Sequence, residues 1–324
     1  MKDFFKKEIT KTINDIKASK EKNDLCFCMM TDSHLSDEMS DTIDNICAVD
    51  KEINFDFIVH LGNMTNGDNP KNITLRLLKS ETEKLKNSIK SKKLFITQGG
   101  TDGWRDERFE GQLSMHMITD EAWNEVLSYT KDYENISRKD NKPYYYVDFD
   151  NTRLIFLCSY TSEIDEENEL FTKQLHIDIK QLGWLKTEAL YNCEGKNVIL
   201  FSHKIQNSRF ETGKDIFAYK GNSTELLFSI LQRAKKRGVN IACWFGGGYN
   251  CDGNMTVADI NLSIIDSQLP KINPTAKCDD VIIPESRDLN TKNQDCWTAV
   301  LIKPDKRELK LFRFGSGNDF TIRY

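Results

Sequence analysis

Short apolar runs recur along this chain with the length and composition of β-strands. They lie at 25–31, 56–61, 93–97, 144–149, 153–159, 197–202, 239–245, 257–265, 297–303 and 308–314. Between several of them, apolar residues recur at helical spacing. These helical patterns cover 37–53, 70–91, 172–191 and 222–237. Strands that alternate with helices predict a layered α/β domain rather than a helix bundle or an all-β sandwich.

Local signals refine these elements. Asp150-Asn151 separates two apolar runs and is a favourable two-residue hairpin turn. Gly238 follows the helical pattern 222–237 and is placed to end that helix. The sequence contains no internal repeat or low-complexity linker, so a single domain is predicted.

The predicted domain covers 24–324. Residues 1–23 form a Lys-rich, amphipathic stretch that predicts an N-terminal helical extension. The polar segment 103–142 reads as an insertion beside the ends of the strands.

Composition excludes several classes of protein. With 39% apolar and 29% charged residues in 324, the chain is typical of an ordinary globular protein. A net charge of −5 gives no electrostatic argument for binding nucleic acid or an anionic membrane. Without a secretory apolar segment, synthesis in the cytoplasm is expected. The nine cysteines, an odd number, are therefore expected to be reduced thiols in the core.

Candidate chemistry is concentrated where the predicted strands end. Five short motifs each close an apolar run: Asp32-Ser33-His34, Gly62-Asn63-Met64-Thr65-Asn66, Gly99-Gly100-Thr101-Asp102, Ser202-His203 and Gly246-Gly247-Gly248-Tyr249. Ligands in open α/β sheets gather at the carboxyl ends of the strands. The order of the motifs therefore predicts one shared pocket.

This series resembles the calcineurin-like metallophosphoesterases, whose motifs run D-x-H, G-D-x-x-(D/N), G-N-H-(D/E), a lone His and G-H-x-H. Gln181-Leu182-Gly183-Trp184-Leu185 also resembles the Q-x-x-W-L helix found before the lone His. The resemblance covers about 24–316. It implies an α/β/β/α fold, in which a metallophosphoesterase-like β-sandwich is flanked by helices in a single domain.

The resemblance also implies roles for individual residues. Asp32 and His34 would bind a first metal and His203 a second, while Asn63 stands where an Asp bridges both. Two-metal hydrolysis holds its cations about 3.5–4 Å apart, and an uncharged amide is a poor bridge between them.

The other motif positions have lost their ligands. Gly100 replaces an Asn ligand, and Thr101 replaces the His that would protonate the leaving group, although its partner Asp102 is kept. Gly247 and Tyr249 replace both histidines of the last motif. The glycines of that motif are interpreted as what remains where bulky ligands were lost, since they match no nucleotide-binding fingerprint.

Two functional hypotheses follow. The first is a non-catalytic protein, with a decayed dinuclear site, that acts by binding or assembly. The alternative is a weak phosphodiesterase or phosphatase with one divalent cation (Mn, Zn, Fe or Mg) on Asp32, His34 and His203. Asp32 and His34 could also bind no metal and serve only to form hydrogen bonds with the turn that follows them. Neighbours could instead rebuild a dinuclear site, and the candidates are Asp68, Asp102, Cys251 and Asp252.

The C-terminal run from Arg313 to Asp319 resembles the R-x-G-x-G-x-D ending of phosphoesterase-like proteins of phages. That likeness implies a virion, tail or baseplate component. The expected partners are other proteins or further copies of the chain, or a cell-wall glycopolymer, with no nucleic acid or membrane.

Overall fold

The computed structural model describes residues 2–89, 93–103, 118–139, 142–165, 170–205, 223–269, 281–282 and 287–324. The helices described are α1 Lys6–Ser19, α2 Met39–Ile53, α3 Lys71–Ser88, α4 Gly100–Gly103, α5 Asp120–Val126, α6 Ile179–Trp184 and α7 Ser223–Lys236. Helix α6 continues as a π-helical turn, Leu185–Ala189.

Two mixed sheets make up the centre of the fold. The strands described are β1 Leu25–Met30, β2 Phe57–His60, β3 Lys93–Ile96, β4 Ile136–Arg138, β5 Tyr145–Phe149, β6 Thr152–Phe156, β7 Tyr160–Asp165, β8 Leu170–Leu175, β9 Asn197–Phe201, β10 Asn240–Gly246, β11 Asp252–Val257, β12 Ile260–Ile264, β13 Val281–Ile282, β14 Cys296–Lys303, β15 Glu308–Gly315 and β16 Phe320–Arg323. The first sheet has the order β16-β15-β14-β1-β2-β3, and the second β13-β11-β12-β10-β9-β6-β5-β4. Strands β7 and β8 form a separate hairpin.

The strands that carry the motifs are parallel neighbours. In the first sheet β1 pairs with β2 and β2 with β3, and in the second β9 pairs with β10. Their carboxyl ends therefore lie along one edge of each sheet.

Aromatic side chains fill the space between the sheets. Phe27 of the first sheet meets Phe201 of the second edge to face, with ring centroids 5.9 Å apart. Phe201 also stacks on Phe156 at 4.9 Å. This interior fixes the sheets face to face, with helices outside them, so the predicted single-domain α/β/β/α fold is confirmed.

The N-terminal helix is part of the same hydrophobic core. Phe5 and Ile16 have no exposed surface, and both belong to the cluster that contains the strands of the first sheet. Lys303 of β14 donates to the carboxylate of Asp24 at 2.6 Å and to the carbonyl of Ser19 at 2.7 Å. A buried cation thus fixes the end of α1 against the first sheet.

Segment 103–142 lies partly outside the described residues, because 104–117 and 140–141 are not among them. The remainder supplies α5 and β4, the edge strand of the second sheet. Trp123 of α5 is fully buried in the core. Its classification as an insertion stays a prediction.

Two of the predicted elements are wrong in part. The helical pattern 172–191 begins with β8, and α6 starts only at Ile179. The strand pattern 257–265 is divided by a turn at Ala258-Asp259, whose φ angles are +49° and +64°. The hairpin turn at Asp150-Asn151 and the helix end at Gly238 are confirmed.

Candidate functional site

The loops after β1 and β2 lie side by side at the rim of the first sheet. The backbone amides of Asp32, His34 and Leu35 donate to carbonyls 62, 63 and 64 at 3.0, 3.0 and 2.9 Å. These three donor residues have positive φ angles, between +46° and +56°. Strained backbone of this kind recurs at functional sites, and in this chain it is also found at turns such as Ala258-Asp259.

Asp32 is the centre of the site. Its side chain is buried, and Oδ2 accepts from the hydroxyl of Thr31 at 2.7 Å and from the amide of Gly248 at 2.9 Å. Oδ1 accepts from Nδ2 of Asn63 at 2.7 Å, and Nε2 of His34 lies 3.6 Å away. Burial by itself would raise the pKa of Asp32, but its hydrogen bonds and the neighbouring imidazoles hold that pKa well below its usual range. Asp32 is therefore a carboxylate with donors on both oxygens.

Asn63 connects two loops. While its nitrogen donates to Asp32, its Oδ1 accepts from the backbone amide of Thr101 at 2.9 Å. The direction of both bonds fixes the orientation of the amide group.

Asp102 and Thr101 hold the loops after β2 and β3 together. Oδ1 of Asp102 accepts from the amide of Thr65 at 2.9 Å, and Oδ2 from the amide of Gly99 at 3.0 Å. The hydroxyl of Thr101 donates to the carbonyl of Thr65 at 2.6 Å. The third motif therefore supports the loops in this structure.

His203 crosses from the second sheet to the first. Its Nδ1 lies 2.7 Å from the carbonyl oxygen of Leu61. Since a carbonyl can only accept, Nδ1 carries the hydrogen and Nε2 has the lone pair. Burial lowers the pKa of His203 to about 4, so the ring is neutral at pH 7. A Cβ atom on Gly248, whose φ is +69°, would lie only 2.4 Å from this Nε2.

Side chains lie close to two glycines at positions where the resemblance expects metal ligands. A Cβ atom on Gly100 would lie 2.7 Å from the hydroxyl oxygen of Tyr160, and one on Gly247 would lie 2.1 Å from Oγ1 of Thr31. Any side chain larger than hydrogen at these positions would require Tyr160 or Thr31 to shift. The glycines are thus needed by their surroundings, which changes their interpretation as mere remnants.

Tyr249 turns away from Asp32 into the core of the second sheet. Its hydroxyl donates to the carbonyl of Ile205 at 2.8 Å. The ammonium group of Lys204, which is buried, lies 4.0 Å from the centroid of the Tyr249 ring and also donates to the carbonyl of Gly248. A lysine cation therefore lies next to the last motif.

His60 looks like a catalytic partner of Ser33, since Nε2 and Oγ are 3.0 Å apart. However, the amide of Gly62 donates to Nδ1 of the same ring at 3.1 Å. Nε2 therefore carries the hydrogen and donates to Ser33, so the ring cannot take a proton from that hydroxyl through this contact. Burial lowers the pKa of His60 to about 3. His60 is a buried histidine with a hydrogen-bond partner on each ring nitrogen.

The neighbours considered as substitute ligands have other surroundings. Asp68 is exposed, Cys251 is buried, and Asp252 pairs with Arg313 at 3.1 Å. Within the described ranges, no group of three His, Cys, Asp or Glu side chains could hold a metal. Metal binding by Asp32, His34 and His203 stays a prediction.

The structure thus brings together Asp32, His34, Asn63, Thr101, Asp102 and His203, and Tyr249 lies outside this group. Sequence reasoning missed Thr31, Tyr160 and Lys204, which have no motif of their own. It also missed the amide of Gly248, because a backbone donor leaves no signal in the sequence.

Among the helices described, none is both long and apolar enough to cross a membrane.

Neither a family model nor a curated protein matches the sequence. Solved structures do match the fold. A dimetal phosphatase from Danio rerio has a TM-score of 0.58 at 12% identity, over 93% of this chain and 99% of that chain. GAP50, described as the anchor in the inner membrane complex of Plasmodium, has a TM-score of 0.52 at 12% identity, over 94% and 90%. At such identities the likeness establishes the fold alone: this chain has a calcineurin-like metallophosphoesterase fold.

Proposed function

We propose that this protein has lost its dinuclear metal site and acts by binding or assembly rather than by hydrolysing phosphoesters. One observation carries the proposal. Nδ2 of Asn63 donates to Oδ1 of Asp32 across 2.7 Å, at the position where the resemblance places a bridging carboxylate. A donor N–H next to Asp32 does there what a cation would do, and it cannot coordinate one.

The donor set as a whole fits hydrogen bonding better than metal binding. Both oxygens of Asp32 already accept hydrogen bonds, and Oδ1 of Asn63 is used by Thr101. A dinuclear centre needs several charged ligands around two cations. Since these residues do not supply them, we derive no catalytic step through a metal pair.

The missing ligands cannot come back without rearrangement. Tyr160 and Thr31 fill the space beside Gly100 and Gly247. Thr101, which takes the position of the general acid, gives its hydroxyl hydrogen to a backbone carbonyl. The expected metal ligands at 100 and 247 and the expected general acid at 101 are therefore both absent.

A role in assembly is supported by the fold and by the intact core. The same fold is found in GAP50, described as an anchor. The partners that we propose are other proteins or further copies of this chain. The C-terminal run that resembles phage proteins is used in folding through Arg313, Gly317 and Asp319, so a virion role or a glycopolymer ligand has no separate observation behind it.

The second candidate is a phosphoesterase with one divalent cation on Asp32, His34 and His203. In its favour, Asp32 is ionised and Nε2 of His203 has a lone pair. Against it, the backbone of Gly248 lies against that nitrogen.

Elemental analysis after equilibration with Mn²⁺ and desalting separates the two. We expect no more metal per wild-type chain than in His34→Ala, and no metal-dependent hydrolysis of bis-p-nitrophenyl phosphate. One metal per chain, lost in His34→Ala and accompanied by hydrolysis, would establish the second candidate. Two per chain would mean that the ligands have been rebuilt.

The binding role is tested on the same preparation. Sedimentation velocity over a range of protein concentrations should reveal a self-associated species if the partner is a second copy. A strictly monomeric chain would direct the search to another protein.

A further inference from the structure

Four loops from both sheets meet around Asp32. The loop after β1 carries Asp32 itself, and the loop after β2 carries Asn63. The loop after β10 supplies the amide of Gly248, at 2.9 Å from Oδ2. His203, after β9, donates to the carbonyl of Leu61 in the loop after β2. The hydrogen bonds at this point therefore join the first sheet to the second.

The bonds form a relay with a fixed direction. Gly248 and Thr31 donate to Oδ2 of Asp32, Asn63 donates to Oδ1, and Thr101 donates to Oδ1 of Asn63. Each side-chain oxygen named here accepts and the side-chain nitrogen donates. The relay therefore requires two acceptor oxygens on the side chain of residue 32. The side chain of residue 63 must offer one donor and one acceptor.

We propose that this relay, with Asp32 as its centre, replaces the metal ions as the fastening between the two sheets. The inference rests on the proposed function, because it assigns the cation positions to the amides of Asn63 and Gly248. It makes Asp32 a residue kept for stability, although the resemblance assigns it to a metal.

Single isosteric changes break the relay in opposite ways. Asn63→Asp places an acceptor against Oδ1 of Asp32, so two carboxylate oxygens face each other across 2.7 Å. Asp32→Asn can keep its oxygen toward Gly248 and Thr31, but its nitrogen then faces the nitrogen of Asn63. Turning the Asn63 amide over only moves the conflict to the amide of Thr101.

The exchanged pair satisfies every bond again. In Asp32→Asn/Asn63→Asp, the oxygen of residue 32 accepts from Gly248 and Thr31 while its nitrogen donates to residue 63. The second carboxylate oxygen of residue 63 still accepts from Thr101. The double variant should therefore be more stable than the sum of its parts predicts, which is the signature of a direct interaction.

The experiment measures the thermal unfolding midpoint in EDTA for wild type, both single variants and the double variant. Asn66→Asp, the same chemical change at an exposed position of the same loop, is the matched control. We expect each single variant to lower the unfolding midpoint by about 2–4 °C, the control to change little, and the double variant to recover more than half of the summed loss. If a single variant does not fold, recovery of folded, soluble double variant by circular dichroism is the readout.

A double variant as unstable as the sum of the single ones would overturn the relay. Stabilisation of Asn63→Asp by Mn²⁺, beyond that of wild type, would mean that a cation still fits between residues 32 and 63, and it would overturn the inference. Neither result depends on the metal content of the wild-type protein, which tests the proposed function separately.

Discussion

The guanidinium group of Arg313 and the carboxylate of Asp252 form a buried ion pair, with Nη2 and Oδ1 3.1 Å apart. Arg313 lies in β15 of the first sheet and Asp252 in β11 of the second. Their contact therefore joins the two sheets at a second point, apart from Asp32. Arg313 also donates to the hydroxyl of Thr298 and to the sulfur of Cys296.

This pair explains the C-terminal run from Arg313 to Asp319. The amide of Arg313 donates to Oδ1 of Asp319 at 2.7 Å. Gly317 has a φ of +98°, and a Cβ atom there would lie 2.7 Å from Oδ2 of Asp252. The arginine, this glycine and the aspartate of the run are thus used in folding.

Removing Arg313 should destabilise the protein strongly. Arg313→Met leaves Asp252 buried without its cation, which costs about 3–5 kcal/mol in comparable pairs. The free energy of unfolding in urea measures the loss. Arg323→Met is the control, because that side chain is 84% exposed in its pair with Glu308, and it should change stability by less than about 0.5 kcal/mol.

A second substitution checks the cause of that loss. Asp252→Leu in the Arg313→Met background removes the stranded carboxylate and should restore part of the stability. If the double variant is no more stable than Arg313→Met, the loss of stability comes from packing and the ion-pair explanation is wrong.

The arrangement of the site could be predicted from the sequence in part. Polar motifs that end adjacent parallel strands lie along one edge of a sheet, which is why Asp32 and Asn63 meet as predicted. His203 reaches the loop after β2 from the second sheet. What fills the space around Asp32 could not be predicted, because Gly248 acts through its backbone. Tyr160, which lies over Gly100, is distant in sequence and belongs to a strand that the pattern did not reveal.

The errors in secondary structure have similar physical causes. Leu175, Ile179 and Leu182 follow each other at spacings of four and three, as on a helix, so periodicity does not separate the end of β8 from the start of α6. Ala258-Asp259 forms a turn with two positive φ angles but lacks the Asn-Gly or Asp-Gly signal of such turns.

Asp266 should make stability depend on pH. Burial raises its pKa to about 6, although Arg287 lies 3.3 Å away. Its usual value in an unfolded chain is near 3.9. Between pH 4 and 6 the folded state therefore holds a proton that the unfolded state has released, so stability falls as the pH rises and levels off above about pH 6.

Asp266→Asn removes that titration. The difference in unfolding free energy between Asp266→Asn and wild type should grow by about 2–3 kcal/mol from pH 4 to pH 6, in favour of the variant. Urea denaturation at pH 4, 5, 6 and 7 gives this difference. For Asp305→Asn, at an exposed position, the unfolding free energy should change with pH in parallel with that of wild type. The same parallel change for Asp266→Asn would contradict the prediction.

Phe5 should be essential for stability, although it lies in the predicted N-terminal extension. Its ring is fully buried, with its centroid 5.9 Å from that of Phe314 in β15. Phe5→Ala leaves a cavity that costs about 3–5 kcal/mol, measurable by urea denaturation. Lys7→Ala, two residues away and exposed, should have little effect. Equal stability of both variants would mean that α1 is dispensable.

Two glycines should respond in opposite directions to the same substitution. Neither Gly247 nor Gly183 has a positive φ, so alanine is not disfavoured there by the backbone. A Cβ atom on Gly247 would lie 2.1 Å from Oγ1 and 2.7 Å from Cβ of Thr31, whereas one on Gly183 meets nothing within 4 Å.

Gly247→Ala should therefore cost about 1–3 kcal/mol through overpacking against Thr31. Gly183→Ala, in helix α6, should instead gain about 0.5–1 kcal/mol from the better helix propensity of alanine. Unfolding in urea compares both with wild type. If Gly247→Ala were as stable as Gly183→Ala, the loop after β10 could move away from Thr31. A histidine, the ligand that the resemblance expects, could then enter at 247, and the closed geometry around Asp32 would not be what excludes it.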